Sequence, residues 1–245
     1  MLGNIDAELK LVIAGNHDKD LDSHYWKTHP MLSKDHPNQD KEAKRIMTGP
    51  LATAAGVTYL EEGLFNFTLK SGATFTIYTS PYQPEFYDFA FPYYRNQDRF
   101  NPESHVADFV TPIAKNLIPD FGNVDIIMTH GPPEGILDET KHGIKAGCEA
   151  LLRAASRAKP RLYCFGHIHE GYGAKVISWK DNPSLIGAEA IENEDPKTNA
   201  YPESCSWPIE FGKETVMINA AIRDIRSKPT NAPWIVELDL SLAGA

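Results

Sequence analysis

The sequence predicts an α+β fold in which two sheets pack together and parallel strands carry the chemistry, and three observations lead there. First, short apolar runs at residues 9–14, 124–128 and 161–165 each end directly in a polar set: Gly15-Asn16-His17-Asp18, Thr129-His130-Gly131-Pro132-Pro133 and Gly166-His167-Ile168-His169. Runs of that kind are what strands buried on both faces look like, and in such sheets sites gather beyond the carboxyl ends of the strands. Second, the pattern over residues 57–79 turns to period two about Ser71-Gly72, which predicts an antiparallel hairpin. Third, Cys148, Leu151, Leu152 and Ala155 fall at helical spacing within residues 147–159, just ahead of the 161–165 run. That order predicts a strand-helix-strand unit with a right-handed crossover.

In chain order, residues 1–8 show no basic segment leading into an apolar core, so no secretory leader is read there. Residues 19–40 are polar, and their His24, His29 and His36 follow no regular spacing, so the segment reads as a solvated loop over the strand ends. Residues 41–47 have helical character, broken at Gly49-Pro50 and resumed over 52–55. Leu64, Phe65, Phe67 and Leu69 form the outgoing arm of the hairpin, and residues 74–78 the returning one. The sequon Asn66-Phe67-Thr68 lies inside that arm and is discounted as a glycosylation site. Residues 82–100 hold Tyr82, Phe86, Tyr87, Phe89, Phe91, Tyr93, Tyr94 and Phe100. Rings in such a loop pack against a sheet edge, or line a substrate pocket where one could stack on a nucleobase. Residues 106–116 are expected to be a helix and 173–179 a strand. Residues 181–213, long, polar and acidic, read as a mobile loop. Two apolar strands, 215–222 and 234–240, flank a polar turn with Pro229 and Asn231 and should close the second sheet. No repeat or internal boundary is seen, so residues 1–245 are read as a single domain.

Composition narrows the function classes. With 42% hydrophobic and 23% charged residues, the chain can bury a sizeable core, and no run is long enough to span a bilayer. A net charge of -9 argues against a nucleic-acid groove, which would need a basic face. Bound divalent cations would offset part of that charge. Three cysteines, Cys148, Cys164 and Cys205, an odd count without a leader, read as reduced thiols in the cytoplasm. No protein partner is read from the sequence.

The chemistry sits in the three polar sets. In an extended segment, residues i and i+2 share a side, so His167 and His169 would present both imidazoles to one region. In this order, G-N-H-D, T-H-G and G-H-x-H resemble the last three blocks of the calcineurin-like metallophosphoesterases. The fuller forms at residues 129–138 and 166–173 resemble the branch containing the metallophosphoesterase-domain proteins and their fungal relatives. The resemblance runs from Lys10 to about Leu240 and implies a four-layer helix-sheet-sheet-helix sandwich. It also implies that Asn16, His130 and His167 bind one metal ion and His169 another. His17 would stand just outside the metal shell as the acid for the leaving oxygen, with Asp18 orienting it through a hydrogen bond. Amide and imidazole donors suit manganese, iron or zinc, and two such ions about 3.5 to 4 Å apart would neutralise phosphoryl charge and supply hydroxide.

The resemblance also exposes an absence. Family members carry D-x-H and G-D blocks ahead of G-N-H, and no G-D dipeptide occurs in this sequence. The sole D-x-H, Asp22-Ser23-His24, follows G-N-H-D and reads as a chance match. On this reading the first strand-helix-strand unit is missing, the first sheet should expose an apolar edge, and one metal would bind weakly with poor turnover. The expected function is metal-dependent hydrolysis of a phosphodiester or phosphomonoester, a cyclic nucleotide among the candidates. The alternative is a family member that binds a nucleotide or phosphate without turnover. A mononuclear zinc hydrolase of another class would use the same residue types, but no motif favours it.

Overall fold

A computed structural model describes residues 2–182, 185 and 187–243. Its strands are β1 (Lys10–Val12), β2 (Val57–Tyr59), β3 (Gly63–Thr68), β4 (Thr74–Ser80), β5 (Gln83–Pro84), β6 (Pro92–Tyr93), β7 (Gln97–Asp98), β8 (Thr111–Pro112), β9 (Ile126–Thr129), β10 (Leu162–Phe165), β11 (Gly173–Trp179), β12 (Ile191–Lys197), β13 (Cys205–Ser206), β14 (Glu214–Asn219) and β15 (Val236–Glu237). The helices are α1 (Ser23–Thr28), α2 (Pro30–Asp35), α3 (Gln39–Thr48), α4 (Pro50–Ala54) and α5 (Glu149–Ala158).

Seven strands form one mixed sheet in the order β12-β11-β14-β10-β9-β4-β3. Its centre, β4, β9, β10 and β14, is parallel. Antiparallel β3 and the β11–β12 pair extend it on either side. The architecture is therefore α+β, with the parallel strands carrying the polar sets. The parallel centre follows from its residues: Ile127, Tyr163 and Met217 are fully buried, as two-sided strands require. Leu151 and Leu152 of α5 are buried in the same core as those residues and Tyr78. Ala174, Val176, Val216 and Ile218 form a separate apolar cluster with Trp207 and Trp234.

Several expectations change. Residues 106–116 are not a helix: Thr111 N–H bonds Asn96 C=O and Ile113 N–H bonds Asp98 C=O, so the segment pairs as β8 with β7. Pro112 explains this, because it has no N–H and disfavours the helical region for Thr111. Within 181–213, where 183, 184 and 186 lie outside the described residues, β12 is an edge strand on β11. Its acidic composition and Pro196 fit a sheet edge, although they disguise a strand. The 215–222 run does not close a second sheet, since β14 lies inside the large one, and β15 pairs with β13 instead. The 19–40 segment folds into α1 and α2, because Asp22 caps α1 through the His24 and Tyr25 N–H groups and Tyr25 and Trp26 are buried.

The expected first sheet is represented by β1 and β2, which pair in parallel, and among the described residues β1 has no partner on its other edge. No helix among the described residues is long and apolar enough to cross a membrane.

Candidate metal centre

The strand ends bring the donors together. His130 follows β9 and is pinned on both sides: its N–H donates to Ser80 C=O at 3.0 Å, and its C=O accepts the Gly166 N–H at 3.0 Å. Its ring lies against Gly15, where a Cβ would stand 2.7 Å from Cε1 and Nδ1, so a glycine is required for the approach. Across the gap, His130 Nε2 faces Asn16 Oδ1 at 2.9 Å. Two donors each about 2.1 Å from one cation and at right angles to each other would be about 3.0 Å apart, so this pair has the spacing of neighbouring ligands. The His167 ring follows at 4.7 Å from the His130 ring, and His167 itself holds a left-handed φ of 68°. A non-glycine residue there is strained, which places the imidazole at the cost of a locally unfavourable backbone.

His169 is oriented from behind. Its Nδ1 lies 3.0 Å from the Asp224 C=O, which can only accept, so Nδ1 carries the proton and Nε2 is left as the ligand atom. Asp224 is in turn fixed by its own carboxylate, which accepts the Arg226 and Lys228 N–H groups. Asn219, at the end of β14, is fully buried and donates through Nδ2 to Leu137 C=O at 3.0 Å and Ile168 C=O at 2.9 Å. Its Oδ1 accepts the Ala221 N–H. It thus holds the residue between the two histidines. Neither Asn219 nor Asp224 was singled out in the sequence, and the only signal for Asn219 is a polar residue closing an apolar run.

His17 is exposed, with its ring edge-on to Phe89 at 4.7 Å. Asp18 closes the turn rather than reaching along it: its Oδ2 accepts the Gly15 N–H at 2.7 Å, and its own N–H returns to Gly15 C=O. Asp22, of the misplaced D-x-H, is occupied too, since its second oxygen accepts the Phe91 N–H at 2.7 Å. His142, in the loop ahead of α5, is exposed.

Burial sets the charge state. Desolvation, then the nearby His167, His17 and His169, pushes the His130 imidazole down to about 3. Desolvation, then His169 and His17, pushes His167 down to about 4. Both are neutral near pH 7, so a cation would displace no proton from them. The centre opens into a cavity of about 370 Å³, lined on one side by Asn16, His17 and His130 and on the other by Ile13, Met128, Cys164 and Phe165.

The residue types fit a divalent ion: Asn16, His130 and His167 offer an amide oxygen and two neutral imidazoles, and His169 a third imidazole. Among the described residues no three His, Cys, Asp or Glu side chains are grouped to hold a metal ion.

The family model for calcineurin-like phosphoesterases matches residues 2–171. Human metallophosphoesterase domain-containing protein 1 is 35% identical over 182 residues, covering 70% of this chain and 48% of the relative. A UPF0046 protein of Caenorhabditis elegans is 30% identical over 185 residues, covering 71% of this chain and 41% of the relative. A probable rhamnogalacturonate lyase C of Emericella nidulans is 28% identical over 230 residues, 89% of this chain but 19% of that protein. The chain thus spans about half the length of the human relative.

Proposed function

The chain belongs to the calcineurin-like phosphoesterase family, whose members use divalent metals, and from that premise we propose that it binds a phosphoester at one divalent ion and hydrolyses it slowly. The observation that carries this is the facing of Asn16 Oδ1 and His130 Nε2 at 2.9 Å, with the His167 ring beside them, at the ends of three strands. Asn16, His130 and His167 hold the ion in this reading. When bound, the ion would neutralise the phosphoryl oxygens and lower the pKa of a coordinated water.

The chain's own residues supply the rest. His17, exposed at the rim, gives a proton to the leaving oxygen. Asp18 holds the turn that sets the His17 position. Asn219 and the Asp224 carbonyl fix the H-x-H segment. The proposed ligand is a small-molecule phosphodiester, phosphomonoester or nucleotide, a cyclic nucleotide among them, and the metal is manganese, iron or zinc. The proposed compartment is the cytoplasm, on the three unpaired cysteines. A second reading, binding of phosphate or nucleotide without turnover, is favoured by the absence, among the described residues, of any group of three His, Cys, Asp or Glu side chains placed to hold a metal ion.

The test is metal stoichiometry together with release of nitrophenol from bis(p-nitrophenyl) phosphate. At most one weakly held manganese and slow release that a chelator abolishes are expected, and His130→Ala should lose both. Binding with no release selects the second reading. Release that a chelator leaves untouched, or no affinity for metal or phosphate, sinks the proposal.

A further inference from the structure

The rings of residues 82–100 range from buried to exposed, with Tyr82 and Phe89 half-buried and Tyr94 exposed. Phe91, Tyr93 and Phe100 are buried and pack. Phe86 and Tyr87 are not: they are 52% and 80% exposed. A large apolar side chain left in water forgoes the gain of burial, so an exposed pair at a defined place asks for a use. Tyr87 also adopts a left-handed φ of 49°, a strained backbone for a residue with a side chain.

The tip that carries them is held firmly. Its two ends pair as β5 and β6, the Gln83 N–H donates to Phe91 C=O at 3.0 Å, and the Glu85 N–H donates to Tyr93 C=O at 2.8 Å. It is also registered on the metal centre itself, because the Ala90 N–H donates to the Asn16 C=O at 3.1 Å. The rings then reach both arms of the centre. Phe89 meets the His17 ring edge-on at 4.7 Å, and Phe86 stands 6.5 Å from the His167 ring at an interplanar angle of 85°. Phe86 and Phe89 are stacked, their centroids 6.3 Å apart and their planes within 6° of parallel, and Tyr87 meets Phe86 edge-on at 4.5 Å. Lys19 Nζ is 5.4 Å from the Phe89 centroid, which brings a cation to the same rim.

We infer that Phe86 and Phe89 form a wall that receives a planar aromatic group attached to the phosphoryl centre, so that this protein selects aryl or nucleoside phosphoesters over aliphatic ones. The inference rests on the phosphoester reading and adds to it what the ester carries. A flat face is complementary to any aromatic ring through stacking, and Phe86 keeps about half of its surface in solvent with its ring 6.5 Å from that of His167.

The experiment measures dissociation constants by calorimetry, with manganese present, for methylphosphonate, phenylphosphonate and adenosine 5′-monophosphate. The wild-type protein should bind the two ring-bearing probes roughly 5- to 100-fold more tightly than methylphosphonate. Phe86→Leu keeps an apolar side chain of similar size and removes the flat face, so it should shrink that ratio severalfold, while Phe86→Trp should keep or enlarge it. The exposure of Phe86 makes both variants compatible with folding. Equal affinity for all three probes in the wild type, or a ratio unmoved by Phe86→Leu, overturns the inference and leaves the phosphoester reading intact. Failure of every probe to bind overturns that reading and this inference with it.

Discussion

Replacing Asn219 by Ala tests whether the metal centre is built from behind rather than by its ligands alone. The side chain is fully buried at the end of β14 and makes three hydrogen bonds, all to backbone: Leu137 C=O, Ile168 C=O and Ala221 N–H. Its loss leaves up to three buried backbone groups without that partner. Each such group costs about 1 to 3 kcal/mol, though water entering the vacated space can recover part, so a net loss of about 3 kcal/mol is expected. For a domain of this size that corresponds to a fall in Tm of roughly 6 to 12 °C. The second consequence is local. Ile168 lies between His167 and His169, and Gly171, whose Cβ would stand 1.9 Å from Leu137 C=O, approaches the same carbonyl. Without Asn219 the segment is free to rotate, and manganese affinity should fall about 10- to 100-fold, the range for groups that orient metal ligands. Asn219→Asp should be worse, since a second acceptor would face two carbonyls. Thermal melts and a manganese titration on the same preparation decide the matter. A variant that loses less than about 0.5 kcal/mol and binds manganese like the wild type would refute the reasoning, because it would show the H-x-H segment holding its own shape.

Two further outcomes are expected. Gly15→Ala puts a methyl group 2.7 Å from His130 Nδ1 and Cε1, so the ring must swing away from Asn16; the melt should shift little while manganese affinity drops tenfold or more, and an unchanged titration would show that the Asn16–His130 contact is dispensable. In the metal-free protein, stability should fall on acidification from pH 7 to pH 5. His130 and His167 sit at about 3 and about 4 when folded, against an ordinary 6.5, so below about pH 6.5 the unfolded chain binds more protons and the folded state loses ground. The stability is fully present above about 6.5 and stops falling from this source below about 3. Each buried ring would cost about 2 kcal/mol at pH 5, and a denaturant series on wild type and on the His130→Ala, His167→Ala double variant should show a shallower pH slope in the variant. Equal slopes would mean that these imidazoles do not control the acid limb.

What could be read from the sequence and what could not differ in physical kind. Strands β9, β10 and β11, helix α5 and the β3–β4 hairpin are legible because a period in one stretch of chain reports the faces it buries. The donor candidates Asn16, His130, His167 and His169 stand out by their place just past the end of an apolar run. The place of β14 between β10 and β11 was missed because pairing partners are chosen across long separations, and β12 because an acidic edge strand carries no apolar alternation. Asn219 and Asp22 were missed as determinants because their side chains bond backbone elsewhere in the fold, and Asp224 because its own carbonyl meets the His169 ring, roles with no local signature. That division bears on the chemistry. In the proposed centre, neutral imidazoles with no acidic group joined to them among the described residues offer a cation little charge, so its affinity would depend on how rigidly Asn16, His130 and His167 are aimed. The residues that aim them are the unread ones, and for that reason a substitution at Asn219 tells more about this centre than the removal of a ligand, which would abolish binding under any account of it.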